Sequence, residues 1–147
     1  MPRALLILAA VLVAALVAAG SFAVSGLAFG HTEERTHTVH GTITRVVVEG
    51  ASGDVSVLGA SVREATVHER RHFGWRRPKL SLESHGTVLH VAVRCAAWSG
   101  HCADDVDIVV PRGVELRVHL HSGDIHVAGL ARRDVLATSG SGDVTIR

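Results

Sequence analysis

Apolar and polar residues alternate along most of the chain after residue 30, and a period of two predicts strands. The clearest run is 114–120. Val114, Leu116, Val118 and Leu120 fall on one face, with Glu115, Arg117 and His119 on the other. Comparable runs cover 43–49, 55–58, 62–71, 80–82, 88–93, 106–110, 135–138 and 144–146. The 106–110 run stops at Pro111, which has no N–H to give a ladder. Nothing beyond residue 30 carries a helical period, so an all-β fold of about ten short strands is expected.

One turn recurs between these runs. Ser52-Gly53-Asp54, Ser122-Gly123-Asp124 and Ser141-Gly142-Asp143 are each followed by a β-branched residue that opens a new alternating run. Glycine frees the backbone for a tight turn, and the Asp carboxylate can accept hydrogen bonds from nearby backbone N–H groups. The pattern reads as corner and wall of a stacked β unit. The copies stand 70 and 19 residues apart with one carboxylate each, whereas Ca²⁺ takes six to eight oxygens and calcium-binding β-rolls repeat every nine residues. The Asp residues are therefore expected to form turns. Asp104, Asp105 and Asp107 precede a strand and are expected to be solvated.

The beginning of the chain has a different character. Ala4 to Phe29 is uncharged and follows Arg3; as a helix it would span roughly 39 Å, enough to cross a membrane. It reads as a signal-anchor over residues 1–30, or alternatively as a signal peptide cleaved after Val17-Ala18-Ala19. Both place the remainder outside the cytoplasm, on the cell membrane in the first case and secreted in the second. Residues 31–41 (HTEERTHTVHG) lack periodicity and read as a polar stalk, with the exported domain over 42–147. Cys95 and Cys102 are the only cysteines, and an even pair in an exported chain reads as a disulfide. A zinc site using both with His101 is the alternative. Of the 15 basic residues Arg3 lies in the leader, leaving 14 to balance 14 acidic ones, which argues against a nucleic-acid partner. Tyr is absent and aromatics make up 3%, so the core must be built from aliphatic residues, a composition that suits strands.

Three stretches together resemble the bacterial putative-adhesin family, exported β-strand repeat domains of unknown function. They are Val106 to Val114, Ser122 to Leu130 and Ser139 to Ile146, and Gly50 to Val55 fits the family's opening strand pair. The likeness covers roughly residues 42–147. It implies a β-solenoid-like or elongated β-sandwich stack behind an N-terminal membrane segment, and brings no catalytic residues. The chain is short for the family and reaches Arg147 inside a ladder expected to continue, so self-association or a partner strand is expected at that edge.

Two side-chain groups are candidate sites. Residues 70–79 carry five Arg or Lys with two aromatics, and Arg70, Arg71, Phe73, Trp75, Arg76 and Arg77, joined by Trp98, are a candidate patch for an anionic envelope polymer, lipid head groups or a protein partner. The alternative is that the aromatics cover an open end of the stack and the arginines are solvated. Arg117, His119 and His121 share a predicted outer face with His126 shortly after, a weak candidate metal set; exposed polar positions are the bland alternative. No nucleophile elbow, metalloprotease helix or phosphate loop is present, and no cofactor is expected. The expected function is non-enzymatic: an adhesin-like binding or structural domain of the cell envelope, with an accessory sensing or signalling ectodomain as the alternative.

Overall fold

The computed structural model describes residues 30–74, 76–96, 102–131 and 134–147. The expected membrane segment therefore lies outside the described residues, as do Trp75, Trp98 and His101. His31–Arg147 forms one compact unit.

Eleven strands make up this unit: β1 His31–Val39, β2 Arg45–Ser52, β3 Val55–Ala60, β4 Ala65–Phe73, β5 Lys79–His85, β6 Val88–Arg94, β7 Cys102–Pro111, β8 Glu115–Ser122, β9 Ile125–Ala128, β10 Val135–Ser139 and β11 Val144–Ile146. They form two mixed sheets, ordered β1-β4-β7-β3-β9-β11 and β10-β8-β2-β6-β5. Four strand–corner–strand rungs run through both sheets: β6/β7, β2/β3, β8/β9 and β10/β11, in that spatial order. Neighbouring rungs pair in parallel within each sheet. The second rung in space is the first in sequence. At the β6/β7 end the stack is flanked by antiparallel strands, β4 and then β1 in one sheet and β5 in the other.

The period of two decides which side chains meet between the sheets. Val46 and Val48 of β2, Val55 and Val57 of β3, Leu116, Val118 and Leu120 of β8, and Ile125 and Val127 of β9 are all buried. The core is aliphatic throughout this stack, as the scarcity of aromatics requires. Leu116 is fully enclosed, and its truncation to Ala would cost about 2–5 kcal/mol.

The expected stalk is instead strand β1, which pairs antiparallel with β4 along its whole length, from His31↔Phe73 to Val39↔Ala65. Its residues are mostly exposed, as an edge strand allows, so no apolar alternation betrays it.

Candidate functional site

The three Ser-Gly-Asp turns lie at the corners of three neighbouring rungs. Asp54 Oδ1 accepts the backbone N–H of Asp124 at 2.8 Å, and Asp124 Oδ1 accepts that of Asp143 at 2.8 Å. Asp105 Oδ1 extends the series by accepting the N–H of Asp54 at 3.0 Å. Each carboxylate thus ties its corner to the next rung, a wider role than the turn formation the spacing implied. Asp105, still partly exposed, belongs to this ladder although no Ser-Gly precedes it; of the three Asp residues expected to be solvated, it is Asp104 that the structure corrects, because it is buried. The glycines permit the close stacking. Gly123 has φ +121, and a Cβ there would sit 2.1 Å from the Gly53 carbonyl oxygen; Gly142 has φ +132 and would meet Gly123 O at 2.2 Å. At the fourth corner Cys95 and Cys102 form the expected disulfide, and the Ser52 hydroxyl donates to the Cys102 carbonyl.

Beside the disulfide corner lies a buried ionisable cluster that sequence reasoning missed. Glu69 of β4 is 0% exposed and Asp104 of β7 1%, both at inward positions of their strands. Arg71 Nε donates to Glu69 Oε1, and His37 Nε2 stands 3.6 Å from Glu69 Oε2. Among the described residues no hydrogen-bond donor meets either Asp104 oxygen or Glu69 Oε2. Burial and the neighbouring Glu69 carboxyl push the Asp104 pKa up to about 8, against the smaller opposing pull of Arg71. Asp104 therefore holds a proton at neutral pH, which removes the clash of two buried charges. The sequence signal was available: continuing the alternation Ala65, Val67 along β4 places Glu69 inside.

The basic and aromatic segment is not an unpaired cationic patch. The β1–β4 register sets Glu33 opposite Arg71 and Glu34 opposite Arg70. Arg70 pairs with Glu34 at 3.0 Å, Arg71 with Glu69, and Arg77 with Glu33 at 3.0 Å while lying 5.6 Å over the Phe73 ring. Phe73 is buried, and Arg76 is exposed. The strand taken for a stalk supplies two of the three acids that neutralise this segment.

The three candidate histidines are divided between sheets. His119 and His121 are neighbours on the outer face of β8, with ring centroids 5.7 Å apart, and His119 Nδ1 lies 2.9 Å from the Thr138 hydroxyl. His126 is on β9, because the Ser122–Asp124 corner carries the chain into the other sheet. Among the described residues no three His, Cys, Asp or Glu side chains are grouped to hold a metal ion. Around His119, the outer face of the five-stranded sheet carries His90, Arg94, Arg117 and Glu49 over shallow clefts. One of these, about 410 Å³, is lined by Glu49, Lys79, Ser81, Glu83, His85, His90, Ala92 and Arg94. Arg45 clamps Glu115 on this face at 2.8 Å and holds its carboxyl below the usual range.

No protein-family model matches the chain, and no curated protein matches its sequence. Solved structures are similar in fold. A "putative cell adhesion protein" from Clostridium sporogenes superposes with a TM-score of 0.61 at 12% identity, over 79% of this chain and 61% of that one. A "putative adhesin" from Parabacteroides distasonis gives 0.43 at 15% identity, over 80% and 53%. One from Parabacteroides merdae gives 0.39 at 10%, over 80% and 58%. The chain spans less than two thirds of the length of each. At such identities the likeness is one of fold, and the Clostridium protein carries it: this all-β domain has a fold similar to that of the "putative cell adhesion protein".

Proposed function

We propose that this chain is a non-enzymatic, adhesin-like binding domain of the bacterial cell envelope, exported and held at the membrane by the Ala4–Phe29 segment. The outer face of the five-stranded sheet carries this reading. Its inward residues are committed to the core, and its outward residues, Glu49, His90, Arg94, Arg117, His119 and His121, form a broad, shallow, mixed-charge surface. Such a surface suits an extended partner better than a small substrate, which is usually held in a concave, mostly apolar pocket. The partner class we assign is an anionic envelope polymer, met by Arg94 and by the exposed guanidinium of Arg117, whose Nε also pairs with Glu115 at 3.1 Å. The Cys95–Cys102 disulfide supports an oxidising compartment.

The test combines location and binding. Whole cells carrying the full chain are treated with a membrane-impermeant amine and thiol-independent label, and the purified chain is passed over immobilised anionic and neutral envelope polymers. The proposal expects surface labelling and salt-sensitive retention on the anionic polymer that Arg94→Glu with Arg117→Glu abolishes. Labelling confined to lysed cells would contradict the location, and equal retention of wild type and variant would contradict the binding face.

A further inference from the structure

The two ends of the rung stack are finished differently. The edge strands at one end, β1 and β5, carry Glu33, Glu34, Arg35, Lys79 and Glu83, charges of the kind that deter strand addition. The edge at the other end is made by β10 and β11 and has neither Lys nor Pro within its strands. Val144 and Ile146 lie in register with the buried Ile125 and Val127, yet they are 42% and 53% exposed, with no strand among the described residues packed beyond them. Leu136, on the outer face of β10 in the other sheet, is 59% exposed.

The backbone at this edge is open in a defined way. Asp143 C=O accepts from Ile125 N–H, and Arg147 N–H donates to Val127 C=O, so the odd-numbered residues of this segment turn to β9. By alternation Val144 and Ile146 turn their N–H and C=O groups to the open side. In β10, Asp134 C=O and Gly140 N–H bond β8, which turns Val135, Ala137 and Ser139 outward.

The geometry points to a second copy of this chain as the occupant of this edge, docked by antiparallel pairing of β11 with the partner's β11 about a two-fold axis at Thr145. That register sets Val144 opposite Ile146 of the partner subunit as a hydrogen-bonded pair, covering the apolar residues that the stack leaves bare. It also sets Asp143 opposite Arg147 of the partner subunit, twice by symmetry, so charge selects this register over slipped ones. β10 extends the same contact in the other sheet.

Thr145 falls on the axis as a non-hydrogen-bonded pair with its own copy, at the Cα separation of about 4.5 Å that a disulfide can bridge. The full chain carrying Thr145→Cys, in native membranes under mild oxidation, is expected to form a cross-linked dimer. Ser56→Cys, two strands inward on the same sheet, is expected to stay uncrosslinked. Adding Ile146→Pro, which removes an N–H used only at the open edge, should abolish the Thr145→Cys dimer. In detergent, sedimentation should show Asp143→Arg or Arg147→Asp weakening the dimer about tenfold, with the double swap restoring it. Thr145→Cys cross-linking no more than Ser56→Cys, or a double swap as weak as either single one, would overturn the proposal.

Discussion

The Asp54 carboxylate accepts the backbone N–H of Asp124 at 2.8 Å, across 70 positions of chain. Asp124 repeats the contact to Asp143, so one side-chain type pins successive rungs at their corners. Replacing Asp124 by Ala leaves the Asp143 N–H without this acceptor and is expected to destabilise by about 1–2 kcal/mol. Asn keeps a carbonyl oxygen and should cost less than half as much. Urea unfolding of both variants measures the difference, and equal losses would contradict the ladder.

Gly123 combines positive φ with a 2.1 Å approach of any Cβ to backbone. Gly123→Ala should cost about 3 kcal/mol or more, since backbone rather than a flexible side chain must move. Gly113 has open space around it and no such φ, so Gly113→Ala is expected to change stability by less than about 0.5 kcal/mol. Thermal melts of the pair give the contrast directly.

Asp104 makes stability depend on pH with a definite sign. Its pKa rises from an ordinary 3.8 to about 8 on folding, so the folded chain holds the proton more tightly than the unfolded chain. The stabilisation is complete below about pH 4 and is lost as pH rises through about 8, with a slope approaching about 1.4 kcal/mol per pH unit in between. Asp104→Asn is permanently neutral and should flatten this slope, becoming more stable than wild type at pH 9. Denaturation curves at pH 5, 7 and 9 report it; parallel pH profiles for the two proteins would contradict the assignment.

The disulfide closes the one corner of the stack that lacks the Ser-Gly-Asp turn. Cys95→Ala with Cys102→Ala should cost about 2.5 kcal/mol in the chain-entropy account of a loop this short. A dithiothreitol-dependent shift in the wild-type melt, absent from the double variant, checks it.

Much of the architecture was legible because its signal is local. The alternation Val114, Leu116, Val118, Leu120 names buried residues correctly, and each Ser-Gly-Asp marks a corner. The rung order was not legible: β2/β3 lies between β6/β7 and β8/β9, and pairing between distant strands leaves no periodic trace in either. β1 was hidden for a related reason, since an edge strand with polar side chains on both faces looks like a linker. The same strand changes the setting of the candidate patch, because its Glu34 and Glu33 pair with Arg70 and Arg77. Glu69 and Asp104 break the rule that inward positions are apolar, and that break is what now identifies their cluster.

The central claim is the rung order, and amide and Hα contacts at Ser56 test it most directly. Ser56 lies in register with Asp107 on one side and His126 on the other. Nuclear Overhauser spectra of the labelled protein should therefore show backbone contacts from Ser56 to both residues. Contacts from Ser56 to the 62–72 segment in place of either would place the rungs in sequence order and contradict the stack described above.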